Sequence, residues 1–117
     1  MLDSKANAMD LVRLSDADKA LVGQALRAAV DGPFFPEWEF HTLFGLMRSE
    51  VRAIAEAWPN VDLTGPDAAL AVSNSLNNLL GYPHGQDGVW SQWISVGRSQ
   101  IAELLSCSGE SYFEPLR

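Results

Sequence analysis

Apolar residues recur three and four positions apart along most of this chain, and each such stretch is closed by glycine or proline. Val22, Leu26, Ala29 and Val30 form one face of a helix running from about Asp16 to Val30. Ser15 is placed to cap its start, Asp16 and Asp18 suit its first turn, and Asp31-Gly32-Pro33 stops it, with Gly32 suited to the left-handed position past the end. Phe34-Phe35-Pro36 reads as an extended or turn segment, because a residue before proline is pushed out of the helical region. Pro36 then opens a short helix through Trp38 to Phe44, with Phe40, Leu43 and Phe44 on one side and Gly45 closing it. A further helix from about Arg48 to Trp58 presents Val51, Ile54, Ala55 and Trp58, and Pro59-Asn60 ends it.

The same plan then returns. Gly65-Pro66-Asp67 begins a helix to about Leu80, stopped by Gly81-Tyr82-Pro83; a loop from His84 to Gly88 leads to a short helix carrying Trp90, Trp93 and Ile94; a last helix runs from about Arg98 to Cys107. Residues 15–59 align on 65–109 at an offset of fifty without a gap. Only five aligned pairs are identical (Val22/Val72, Leu26/Leu76, Pro33/Pro83, Arg48/Arg98, Ser49/Ser99), so the repeat lies in apolar periodicity more than in identity. No strand-like alternation of useful length occurs. The expected fold is all-α, one domain of two pseudo-repeated units, each a helix, a short helix and a helix.

A length of 117 residues suits one domain with its own core. Residues 1–14 are expected to be a flexible N-terminal segment and 15–117 the helical domain. Met1 to Ala8 are polar and patternless, and Met9 reads as a natural start behind a leader. No apolar run could span a bilayer and no secretory signal opens the chain, so a cytoplasmic location is expected. Tyr112 and Phe113 in the tail are expected to fold back onto the body.

Charge narrows the partners. Fifteen acids against eight bases leave a net charge of -7. No Lys or Arg occurs from Ala53 to Gly97, where Glu56, Asp62, Asp67 and Asp87 fall. Such a surface disfavours nucleic acid and favours basic proteins. Cys107 is the single cysteine, so an internal disulfide and any multi-cysteine zinc site are excluded, and it reads as a small filler. His41 lies near Glu37 and Glu39, and His84 near Asp87, but the second unit has Asp87 and Ser91 where the first has Glu37 and His41. No symmetric metal site follows, and the expected cofactors and metals are none. Histidines that hydrogen-bond their surroundings are the better reading.

Gly32 to His41 is the densest stretch, with four aromatics and two acids. These residues either plug the end of the bundle or offer aromatic anchors and carboxylates to a partner. Phe34, Phe35 and Trp38 depart from the helical stripe and have His84, Gly85 and Gly88 as counterparts. They, with Glu37, Glu39 and Asp87, are the expected partner-binding residues. Asn74, Asn77 and Asn78 lie opposite the Leu stripe of their helix, which suggests either specific hydrogen bonding or a solvated face.

Two resemblances bear on function. The short helix, Gly45 turn and following helix, with Val51 and Ile54 after the turn, resemble a helix-turn-helix, repeated by Ser95, Ile101 and Leu104. They depart from it in the bulky Phe40 and Trp90, and in weakly charged recognition faces of Arg48, Ser49, Arg52, Glu56 and of Arg98, Ser99, Ala102, Glu103. The strings FPEWEFHTLFGL and NNLLGYPHG resemble signatures of short bacterial proteins without an assigned activity, over residues 30 to 90, and bring no activity with them. The expected function is protein binding without catalysis, in its sharpest form a small acidic inhibitor or immunity-type protein for a basic partner. A homodimer is compatible with this. The alternative is a tandem helix-turn-helix regulator that binds DNA, and the third reading is an enzyme.

Overall fold

Six α-helices and two 3-10 turns make up the described part of the computed structural model, residues 11–108, with side chains described as far as Leu105. Met1 to Ala8, the Cys107 side chain and the residues from Gly109 on, Tyr112 and Phe113 among them, lie outside the described residues. The helices are α1 (Asp16–Asp31), α2 (Glu37–Phe44), α3 (Arg48–Ala57), α4 (Pro66–Gly81), α5 (Trp90–Trp93, entered through a 3-10 turn at Asp87–Val89) and α6 (Arg98–Ser108). No strand is present among the described residues, and the fold is all-α.

Local chemistry accounts for the boundaries. The Ser15 hydroxyl accepts from the Asp18 amide at 3.1 Å, satisfying one of the unpaired donors at the start of α1. Gly45 takes φ +74° and closes α2 in the left-handed conformation. The Glu50 carboxylate reaches back to the Met47 amide at 2.7 Å and caps α3, while Pro66 occupies the first turn of α4. Gly32 departs from expectation: its backbone is extended, at φ -83° and ψ 176°. Space, not handedness, calls for glycine there, since a Cβ would stand 2.6 Å from the Ala28 carbonyl oxygen and 3.0 Å from the Phe34 ring. The packed body also starts earlier than Ser15. A 3-10 turn at Leu11–Arg13 buries Leu11 and Leu14, which stand three residues apart and so meet the core together.

The repeat is expressed as equivalent burial. Val22 and Val72, Leu26 and Leu76, Ala29 and Leu79, and Val51 and Ile101 are all fully buried. Phe40 and Trp90, Phe44 and Ile94, and Ala55 and Leu105 are buried as pairs too. Ile54 is half-buried where its counterpart Leu104 is buried. Within each unit the two longer helices pack together, α1 with α3 and α4 with α6, and α1 and α4 form the seam between units.

The short helices are exchanged. α2 of the first unit lies against α4 of the second, and α5 of the second lies against α1 of the first. Each crossing is held by a side-chain amide at the same register. Asn74 on α4 donates to the Phe44 carbonyl at the end of α2 at 2.8 Å, and Gln24 on α1, fifty residues earlier, accepts from the Ser95 amide just past α5 at 2.8 Å. Asn78 adds a bond to the Leu43 carbonyl at 3.1 Å. Asn74 and Asn78 are therefore specific caps on orphaned helix-end carbonyls, not a solvated face.

Candidate functional site

The chain leaves the end of α1 through Pro33 and turns inward at Phe34 and Phe35. Both rings are buried, at 1% and 4% exposure. Phe34 meets the His84 ring edge-on with centroids 4.9 Å apart and Trp90 at 6.1 Å; Phe35 packs on Phe44 at 5.4 Å and Tyr82 at 5.7 Å. They fill the junction between the units, which corrects the expectation that they could stand on the surface as anchors. The segment bends at Phe34 and Phe35, the two rings lie 6.3 Å apart, and both meet His84, so the second unit closes over them together.

α2 then follows Pro36, which provides no side-chain cap, and Glu37 and Glu39 complement the positive end of its dipole. Phe40 and Phe44, one turn apart, stack at 4.1 Å and face the core. The opposite side of α2 carries Glu37, Trp38, His41 and Thr42, all exposed. Trp38 is 79% exposed, the most open of the large apolar side chains among the described residues. The second unit has Gly88 at that position, so the shared scaffold makes no use of the indole.

The three carboxylates separate into different roles. Glu37 accepts from Arg48 Nε at 2.6 Å while remaining largely in water. Glu39 accepts from the Tyr82 hydroxyl, which ties α2 to the second unit and pushes the phenol above its ordinary value. Asp87 pairs with Arg98 at 2.9 Å in the second unit, and the guanidinium holds its carboxyl below the usual range. Of the six expected residues, Trp38 and Glu37 share an open face, Glu39 borders it, Asp87 serves the other unit, and Phe34 and Phe35 are core.

Sequence reasoning missed what Arg48 and Arg98 do. Arg48 Nη1 donates to the Val30 and Ala29 carbonyls at 3.0 and 3.3 Å, Nη2 to the Phe35 carbonyl at 2.8 Å, and the guanidinium lies 4.4 Å over the Phe40 ring. Arg98 reaches the Leu80 and Leu79 carbonyls at 3.0 and 3.3 Å and lies 5.0 Å over Trp90. Arg52 adds bonds to Asp31 and the Val30 carbonyl. These cations close the negative C-terminal ends of α1 and α4. The signal was present: Arg48/Arg98 is one of five identities in the repeat, and Glu37/Asp87 keeps the acid that pairs with it.

Among the described residues no group of three or more His, Cys, Asp or Glu is arranged to hold a metal ion, and no helix is long and apolar enough to cross a membrane. The sequence matches no family model, no curated protein and no solved structure.

Proposed function

We propose that this protein is a non-catalytic binding module that engages a basic protein through the open face of α2, centred on Trp38. A small acidic inhibitor or immunity-type protein is the form that fits its size and charge. The observation that carries the reading is the indole itself: it stands 79% exposed on a helix whose other aromatics are buried, at a position that the second unit leaves as glycine. A rigid, amphipathic ring of this kind is the commonest anchor of a protein interface, and truncating one costs about 2 kcal/mol or more of binding. The net charge of -7 would speed encounter with a cationic partner and orient it before the indole is buried.

The runner-up, a tandem helix-turn-helix, draws on the α2, Gly45 and α3 arrangement. Against it, Arg48, Arg52 and Arg98 are engaged by the protein's own carbonyls and carboxylates, which leaves them poorly placed to meet phosphates. Replacing Trp38 by a photo-crosslinking phenylalanine analogue and irradiating cells of the source organism tests the leading reading. It expects one predominant adduct to a protein of high isoelectric point, absent when the analogue replaces Ser91 of the second unit. Glu37→Lys is expected to weaken that complex in a salt-dependent manner. If Trp38→Ala and Glu37→Lys leave the affinity of every captured partner unchanged, α2 is not the interface. A salt-sensitive shift of duplex DNA lost on Arg48→Ala would favour the runner-up.

A further inference from the structure

His84 lies where the two units meet, and its hydrogen bonds select one tautomer of the neutral ring. The Gln86 amide donates to Nδ1 at 2.9 Å, so Nδ1 carries no proton. Nε2 lies 3.1 Å from the Leu79 carbonyl oxygen, which can only accept, so Nε2 carries the proton. The neutral Nε2-H tautomer satisfies both partners at once. Its ring stands edge-on to Phe34, 6.4 Å from Phe35, and nearly parallel to Trp90 at 6.3 Å, wedged between aromatics of both units. The same short segment carries Tyr82, whose hydroxyl holds Glu39 on α2, and a turn in which the His84 amide donates to the Tyr82 carbonyl at 2.7 Å.

The charged groups around the ring oppose one another. Arg98 from α6 brings Nη2 to 3.5 Å from Nε2, a cation and a donor facing a donor. Asp87 from the 3-10 turn attracts an imidazolium, but its carboxylate is already bonded to Arg98 at 2.9 Å. From the first unit the ring meets Phe34 and Phe35, which carry no charge, and the Tyr82–Glu39 pair closes the far end of the segment.

We propose that His84 is a proton-operated latch between the two units: neutral, it holds residues 82–86 closed over Phe34 and Phe35; protonated, it releases them. A proton added at Nδ1 turns the acceptor of the Gln86 amide into a second donor, and two donors cannot remain 2.9 Å apart. The proton is then a ligand that binds the open segment better than the closed one, so protonation of the ring shifts the population toward the open form. The counterpart of His84 in the first unit is Phe34, which cannot titrate, so the device belongs to one unit alone.

The test is solution NMR of the full chain from about pH 8 to pH 5, following the imidazole nitrogens, the Gln86 amide and the Trp90 indole together. The expected result is the Nε2-H tautomer at the alkaline end. The Gln86 and Trp90 resonances should move with the midpoint of His84 and not with that of the exposed His41. Protection of the Gln86 amide, corrected for the intrinsic exchange rate, should fall roughly fivefold, the equivalent of one net hydrogen bond. His84→Asn keeps an oxygen able to accept from the amide two residues on, and so keeps the turn while abolishing the response. His41→Asn leaves the response intact. An Nδ1-H tautomer, a ring that stays neutral to pH 5, Gln86 and Trp90 signals that ignore the His84 titration, or a response that survives His84→Asn would each overturn the latch.

Discussion

Arg48 and Arg98, fifty residues apart, perform the same act in the two halves of the molecule. Each lays its guanidinium over the aromatic ring eight positions upstream, Phe40 or Trp90. Each donates to the last carbonyls of the preceding long helix and pairs with the acid eleven positions upstream, Glu37 or Asp87. One side chain thereby fastens three consecutive elements of a unit: the end of the long helix, the short helix and its own helix. Lysine could not do this, because a single ammonium lacks the planar fork that reaches carbonyl and carboxylate together.

The two clamps should not be equally strong. The Arg48 side chain is 17% exposed and also bonds the Phe35 carbonyl, whereas that of Arg98 is 41% exposed. Arg48→Ala is expected to lower unfolding stability by about 2 to 3 kcal/mol and Arg98→Ala by about 1 kcal/mol, since charge-assisted bonds matter more where water is excluded. Urea denaturation of both variants and of Arg48→Lys checks this. Arg48→Lys should recover less than half of the loss.

Phe34 and Trp38 lie four residues apart and should respond in opposite ways. Phe34→Ala empties a buried site shared with His84 and Trp90, at an expected cost of about 3 to 5 kcal/mol. Trp38→Ala removes a ring standing in water and should change stability by no more than about 0.5 kcal/mol. Thermal melts of the two variants measure the difference. A large loss for Trp38→Ala would make it a structural residue.

The helices could be read from sequence because their evidence is local: Ser15, Gly45, Pro66 and the apolar stripe of each helix act within a turn or two. The repeat was legible for the same reason, as two copies of one local pattern. The arrangement of the units was not, because it depends on contacts between distant residues that no local pattern joins. Gln24 reaches Ser95 and Asn74 reaches Phe44, and neither amide looks different from a solvated one along the chain. The candidate site was half legible. Surplus aromatics in the first unit were visible by comparison with the second, but which of them the second unit would cover depended on how α4 and the loop at His84 close over Phe34 and Phe35.

Ser75 is fully buried at the position that Ala25 fills in the first unit, and its hydroxyl has no hydrogen-bond partner among the described residues. A buried polar group left unsatisfied costs stability, and the first unit shows that alanine suits the seam between α1 and α4. Ser75→Ala is expected to raise stability by about 1 kcal/mol. A calorimetric melting temperature below that of the wild type would mean that the hydroxyl has a role in the seam.

Acid should loosen the molecule in a defined direction. Hydrogen bonding from Arg52, helped by Arg27, holds the Asp31 carboxyl below its ordinary value, and Arg98 does the same for Asp87. In both cases the folded value lies below that of the unfolded chain, about 3.9. The unfolded chain therefore takes up protons first as the pH falls. The stabilisation is fully present above the unfolded value and is lost as the pH drops through the folded ones. Urea midpoints should thus be level near neutral pH and decline below about pH 4. Asp31→Asn and Asp87→Asn should each be less stable than the wild type at pH 6, and the difference should shrink as the pH falls and the wild-type carboxyls take up protons. The Asp87 pair is open to water and the Asp31 pair partly so, and about 1 M salt should therefore shrink the difference at pH 6, more for Asp87→Asn. A difference that persists unchanged at pH 2 would assign the effect of these variants to lost packing or altered turns rather than to the guanidinium pairs.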